Sequence, residues 1–180
     1  IASSSMSLSE TGLINIIAQH ERSIEGIVNS FPGAENPDGR PNAPAVLHIG
    51  SGFSCRPSAH HNRWRNYADI KSFLLVLPRD ALGGKLSNLE PLAIPYGERW
   101  RRRFQDNAVR VQIFDSVPNI IDFQFSGGEY RPDIEHAGIT WLGWEFTFSV
   151  EVLEMDDSLL QESGDGNYLL TESGDALIIE

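Results

Sequence analysis

Between Trp144 and Val152 apolar and polar residues alternate without a break, and no other stretch restricts the folding of this chain so tightly. Trp144, Phe146, Phe148, Val150 and Val152 fall on one side, and Glu145, Thr147, Ser149 and Glu151 on the other. Successive side chains of an extended strand point to opposite faces, so period two over nine residues demands a strand with one dry and one wet face. Such a strand needs partners along both edges and a layer over its dry side. The element is read as Gly138 to Val152.

The partners can be read elsewhere. Ile70 to Leu77 is a strong apolar strand closed by Pro78-Arg-Asp80, and Ala45 to Ile49 is a short strand closed by Gly50-Ser-Gly52. Ile120 to Phe125 alternates and runs into Ser126-Gly-Gly128, read as a turn. Phe53 to Tyr67 is polar, aromatic and basic, a long hairpin connection with strand-like flanks. The covering layer comes from two helical patterns. Leu13, Ile16, Ile17, Ile24, Ile27 and Val28 share a helical face, with Ser7 or Ser9 as cap and Phe31-Pro-Gly33 as stop. Tyr96 to Asp106 places Trp100 and Phe104 four apart. Residues 34–44 read as an extended connector, Leu82-Gly-Gly84 as a turn, and Asn88 to Pro95 as short helical turns or a loop. Val109 to Phe114 fits either a continued helix or a strand. The expected fold is α+β, an antiparallel sheet with helices on one face.

Charge divides the chain in two. The net charge is −11, yet residues 151–180 hold nine acidic side chains and no Lys or Arg, leaving residues 1–150 close to neutral. A near-neutral body lacks the basic footprint of tight nucleic-acid binding. In the acidic end, Leu159-Leu-Gln-Glu-Ser-Gly-Asp165 is echoed by Leu169-Leu-Thr-Glu-Ser-Gly-Asp175, followed by Leu177-Ile-Ile179. Each unit reads as a short apolar strand closed by a turn, so the expectation is a body over 1–153 and an acidic β-hairpin tail over 154–180. Hairpins this small need a surface to lie on. At the other end, Met6 is read as the natural start or close to it, and the opening residues show no signal-peptide pattern. No apolar run approaches membrane-spanning length.

The chain offers no phosphate loop, no His-Glu-x-x-His and no paired Cys-x-x-Cys. Cys55, His60 and His61 form the one cluster resembling metal ligands, but adjacent histidines on a strand diverge and a fourth ligand is missing. The expectation is therefore no catalytic residue, no cofactor and no metal. The single cysteine excludes an internal disulfide and suits a reducing compartment. The residues with most to offer are contact residues. Arg63, Trp64 and Arg65 sit in the hairpin connection. Arg101, Arg102 and Arg103 either lie on a wet helix face balanced by Glu98 and Asp106 or bridge to a neighbouring subunit. Trp141, on the face opposite Trp144, is an interface candidate, as are Leu169, Leu170, Leu177, Ile178 and Ile179 in the tail.

The order of these elements resembles the tail terminator proteins of tailed bacteriophages. It runs from an amphipathic helix and a Pro-Gly connector to the Pro44-Ala-Val-Leu47 strand and a glycine-rich hairpin. A strand ending in Leu75-Val-Leu-Pro78, a helical segment and the Gly138-x-x-x-x-Gly-x-Glu-Phe-Thr-Phe148 strand complete it. The resemblance covers residues 7–153 and rests on element order and sequence texture. It implies a virion tail or neck protein assembled in the host cytoplasm as a homohexameric ring. Such a ring caps the tail tube, stops its polymerisation and meets the head-to-tail connector. The tail sheath is a further partner, and DNA passes only transiently through a lumen that a neutral or acidic chain would not make sticky. The alternatives are another neck or tail-completion component, or a carbohydrate-binding module in which Trp64 and Tyr67 stack on sugars or bases.

Overall fold

The computed structural model describes residues 2–31, 43–57 and 63–155. The elements are α1 (Ala2–Arg22), β1 (Asn29–Phe31), β2 (Ala45–Pro57), β3 (Arg63–Pro78), α2 (Leu86–Ala93), α3 (Pro95–Phe104), α4 (Asn107–Ser116), β4 (Ile120–His136) and β5 (Ile139–Met155), with a 3-10 turn over Ala81–Gly84. One five-stranded sheet has the order β1-β2-β3-β5-β4. The class is α+β, as expected, but the sheet is mixed: β1 runs parallel to β2 and the other pairs are antiparallel. β5 extends to Met155; the acidic hairpins expected beyond it, and the connector over 34–42, lie outside the described residues.

The alternating stretch behaves as its pattern requires. Phe146, Phe148, Val150 and Val152 are buried in one core to which all four helices contribute. Tyr96, Trp100 and Phe104 recur every four residues along α3 and bury together. The Trp100 ring stacks on Phe146 at 4.6 Å, and Phe104 meets Phe148 edge-on at 4.8 Å. Gly97 allows the close approach, since a Cβ there would sit 2.5 Å from the Trp144 ring. The ambiguous segment at 109–114 is helical. Asp106 leaves the helix before it and caps a new one by accepting from Ala108 N at 2.8 Å. Val109, Ile113 and Val117 then fall four apart and are buried, whereas Val111, which suggested alternation, is exposed.

Several expected boundaries move. Ser7 and Ser9 lie inside α1 instead of capping it, and the helix stops at Arg22, short of Val28. The chain turns at Gly26, at φ +93°, where a side chain would strike the Tyr96 hydroxyl. That turn lets Asn29–Phe31 form a strand, so Phe31 is not a helix stop. Gly50-Ser-Gly52 and Ser126-Gly-Gly128 are not strand ends either. Both mark irregular register within longer strands, between Gly50 and Phe53 in β2 and between Phe125 and Gly127 in β4. Gly128 lies opposite Phe146, and a Cβ there would come within 2.5 Å of that ring, so this glycine makes room and does not reverse the chain. The reversal comes later, at Ala137-Gly138, both at positive φ, as a two-residue hairpin requires.

Candidate assembly surface

β2, β3 and β5 run on together to a common outer end, an arm in which β3 is the middle strand. β1 covers only Ala45, Val46 and Leu47 along the outer side of β2. From Ile49 to Pro57 that outer edge has no strand beside it among the described residues. Apolar side chains are exposed there: Phe53 is 71% accessible, Ile49 43% and, across on β3, Trp64 41%. An unpaired edge with exposed rings is a template for pairing with another chain. Cα register separates the arm's faces. Phe53 lies opposite Ala68 and Pro57 opposite Trp64, on the helix side; Ser54 lies opposite Tyr67 and Arg56 opposite Arg65, on the open side. The Arg56 guanidinium sits over the Tyr67 ring at 5.2 Å, and Arg65 donates to Glu151 at 3.1 Å. Trp64 and Tyr67 therefore face opposite sides of β3 and cannot clamp one sugar or base between them.

The other sheet edge, β4, is differently made. Asp122, Glu129, Asp133 and Glu135 lie along it. A shallow groove of about 300 Å³ separates it from α3, floored by Phe125, Trp144 and Phe146 and rimmed by Glu98 and Arg101. On the open face an ionic ladder crosses three strands. Glu145 of β5 accepts from Lys71 of β3 at 2.6 Å and from Arg131 of β4 at 2.7 Å.

At the opposite end of the arm's strands lies a polar knot that the sequence reading missed. Glu21 is fully buried at the C-terminal end of α1. Its carboxylate accepts from Trp100 Nε1 at 3.1 Å, from Ser30 Oγ at 3.1 Å and from His48 Nε2 at 2.7 Å. The other imidazole nitrogen of His48 donates to the Phe31 carbonyl. With acceptors on both sides, both ring nitrogens are placed to donate, an arrangement that favours the imidazolium form. Burial pulls its pKa down, but the Glu21 charge and hydrogen bond, with the Phe31 carbonyl, outweigh that and hold it above the ordinary value. Arg22 adds a guanidinium on the Ser30 carbonyl, so every residue of β1 is near or within this knot. The sequence did hold a signal. Leu13, Ile17 and Glu21 are spaced by four, placing an acid on the buried stripe of α1.

The remaining site residues separate clearly. Arg63, Trp64 and Arg65 are on the arm. Arg101 and Arg102 are exposed and both pair with Glu98 within α3, while Asp106 is taken up as the α4 cap. Arg103 instead turns inward and meets His20 Nδ1 at 3.0 Å. His20 is held below its ordinary pKa by burial and then by that guanidinium. Trp141, expected as an interface candidate, is covered by its own chain. It does lie on the face away from the helices, but it is 2% exposed in a second small core with Leu47, Leu75 and Ile134. Alternation assigns a face and does not say whether the chain covers it. Leu169, Leu170, Leu177, Ile178, Ile179, His60 and His61 lie outside the described residues; Cys55 is exposed on β2. Among the described residues no group of His, Cys, Asp and Glu is gathered in a metal-binding arrangement, and no helix is long and apolar enough to cross a membrane. No protein-family model matches the chain, and no curated protein is significantly similar to it in sequence.

Proposed function

We propose that this chain is a non-enzymatic structural subunit of a phage tail or neck, forming a ring that caps the tail tube, ends its polymerisation and meets the head-side connector. The observation that carries the reading is the arm: the outer end of β2, β3 and β5, where β2 has no strand along its outer edge among the described residues and Ile49, Phe53 and Trp64 are exposed. A soluble domain gains nothing for its own stability from such an edge, and exposure of this kind is ordinarily managed by burial in an assembly. The element order named in the sequence resemblance supplies the particular setting.

Native mass spectrometry of the full chain tests the assembly. A ring of fixed stoichiometry, six copies by the resemblance, is the expected result. A monomer at every concentration overturns it. The terminating role is tested separately, by adding the protein to polymerising tail tube subunits. Capped, shortened tubes are expected; unchanged tube lengths beside an intact ring would leave a neck component of another kind.

A further inference from the structure

Resting on the ring reading above, we propose that the acidic segment 156–180 of one copy docks along the free outer edge of β2, from Ile49 to Pro57, on the neighbouring copy. The two surfaces are complementary in charge. From Ala45 to Ala68 the chain has no acidic residue and carries Arg56, Arg63 and Arg65, whereas residues 156–180 hold seven acidic side chains and no Lys or Arg. They are complementary in shape of sequence as well. Leu159-Leu160 and Leu169-Leu170 recur ten residues apart, and the uncovered β2 edge spans nine residues, so one extended unit matches the edge in length. Strand addition would satisfy the unpaired backbone of β2 while the leucines meet Ile49, Phe53 and Trp64.

The choice of edge and of copy also follows from the fold. The β4 edge carries Asp122, Glu129, Asp133 and Glu135, which repel an acidic strand. β5 runs toward the arm tip and ends at Met155 opposite Arg63, on the side of β3 away from β2. To reach its own β2 edge the segment would have to double back across the tip; continued forward, it leaves its own sheet. Twenty-five residues reach roughly 80 Å when extended, ample for a neighbour in a ring.

Cys55, the chain's one cysteine, sits exposed on the proposed edge and serves as the reporter. In the full-length chain, Ser173→Cys under mild oxidation should give disulfide-linked dimers and longer ladders on a non-reducing gel, and none with Cys55→Ser added. Triple reversal of Arg56, Arg63 and Arg65 to Glu should cut the linkage about tenfold. Reversing Glu162, Asp165, Glu172 and Asp175 to Lys should cut it similarly, and combining both sets should restore it. Linkage confined within single chains overturns docking between copies. So does an equal yield when the arm cysteine is moved to the β4 edge, as Cys55→Ser with Ser126→Cys. A ring in the native mass spectrum without any linkage sinks the docking alone, whereas a monomer without linkage sinks the ring reading with it.

Discussion

β2 and β3 each have two ends that live in different surroundings. At the inner end Ala45, Val46, Leu47 and His48 are all buried, as are Leu74, Leu75 and Val76. At the outer end Phe53 through Pro57 are all exposed, with Trp64 and Arg65 beside them. The backbone is the same ladder throughout; the difference lies in what covers it. Inside, helices, β1 and the Glu21–His48 knot close every side. Outside, a strand edge and a few large rings are left bare. Under the proposed reading, stability and association belong to opposite ends of the same two strands, and substitutions should separate the two properties.

The largest effects should come from the inner end. Trp141→Ala should lower the unfolding free energy by about 3–5 kcal/mol in urea titrations, because it empties the small core on the open face. A loss of assembly with unchanged stability would instead return Trp141 to the interface. Glu21→Ala should cost a comparable ~3–5 kcal/mol, since it leaves a buried imidazolium and a Trp100 N–H without their partner. The knot also gives the inner end a pH dependence. His48 titrates above its ordinary value in the folded state, so its contribution is fully present below about pH 6.5 and is lost as pH rises through the raised folded value. Melting temperature should therefore fall as pH rises above about 6.5, and His48→Gln should flatten that slope.

At the outer end the pattern should invert. Phe53→Ser and Trp64→Ser should shift stability by only about 0.5 kcal/mol while weakening assembly in sedimentation experiments. A large loss of stability from either would break the division between the two ends. The smallest effect is expected on α3, where Arg101→Ala and Arg102→Ala remove exposed pairs with Glu98 and should leave both melting and assembly unchanged.

How far the sequence could be read follows the same division. The β5 alternation and the four-residue spacing of Trp100 and Phe104 announced the core, because periodicity reports burial directly. Glycines misled. At Gly50 to Gly52 and at Ser126 to Gly128 they suggested turns, whereas the chain uses them for a bulge and for room under Phe146. β1 was invisible, since three residues carry no pattern and are held by partners remote in sequence. The arm was legible as a hairpin but not as an uncovered one, because exposure depends on where the helices stop. Arg101 to Arg103 were seen as a unit, yet only a helix placed against α1 could show that Arg103 faces inward.

The order of the strands carries a last consequence. The two rims of the sheet are unlike: among the described residues one is basic and bare, the other acidic and grooved, and β5 ends at Met155 with β3 standing between it and the basic rim. Under the docking proposed above, a copy that gives a strand at one place and receives one at another can satisfy both either by reciprocal exchange in a twofold pair or by passing strands one way around a ring. In the one-way arrangement association would be directional, each addition leaving one donor and one acceptor still vacant. Closure of such a circle would fill both, and a ring of that kind would be its own stop signal.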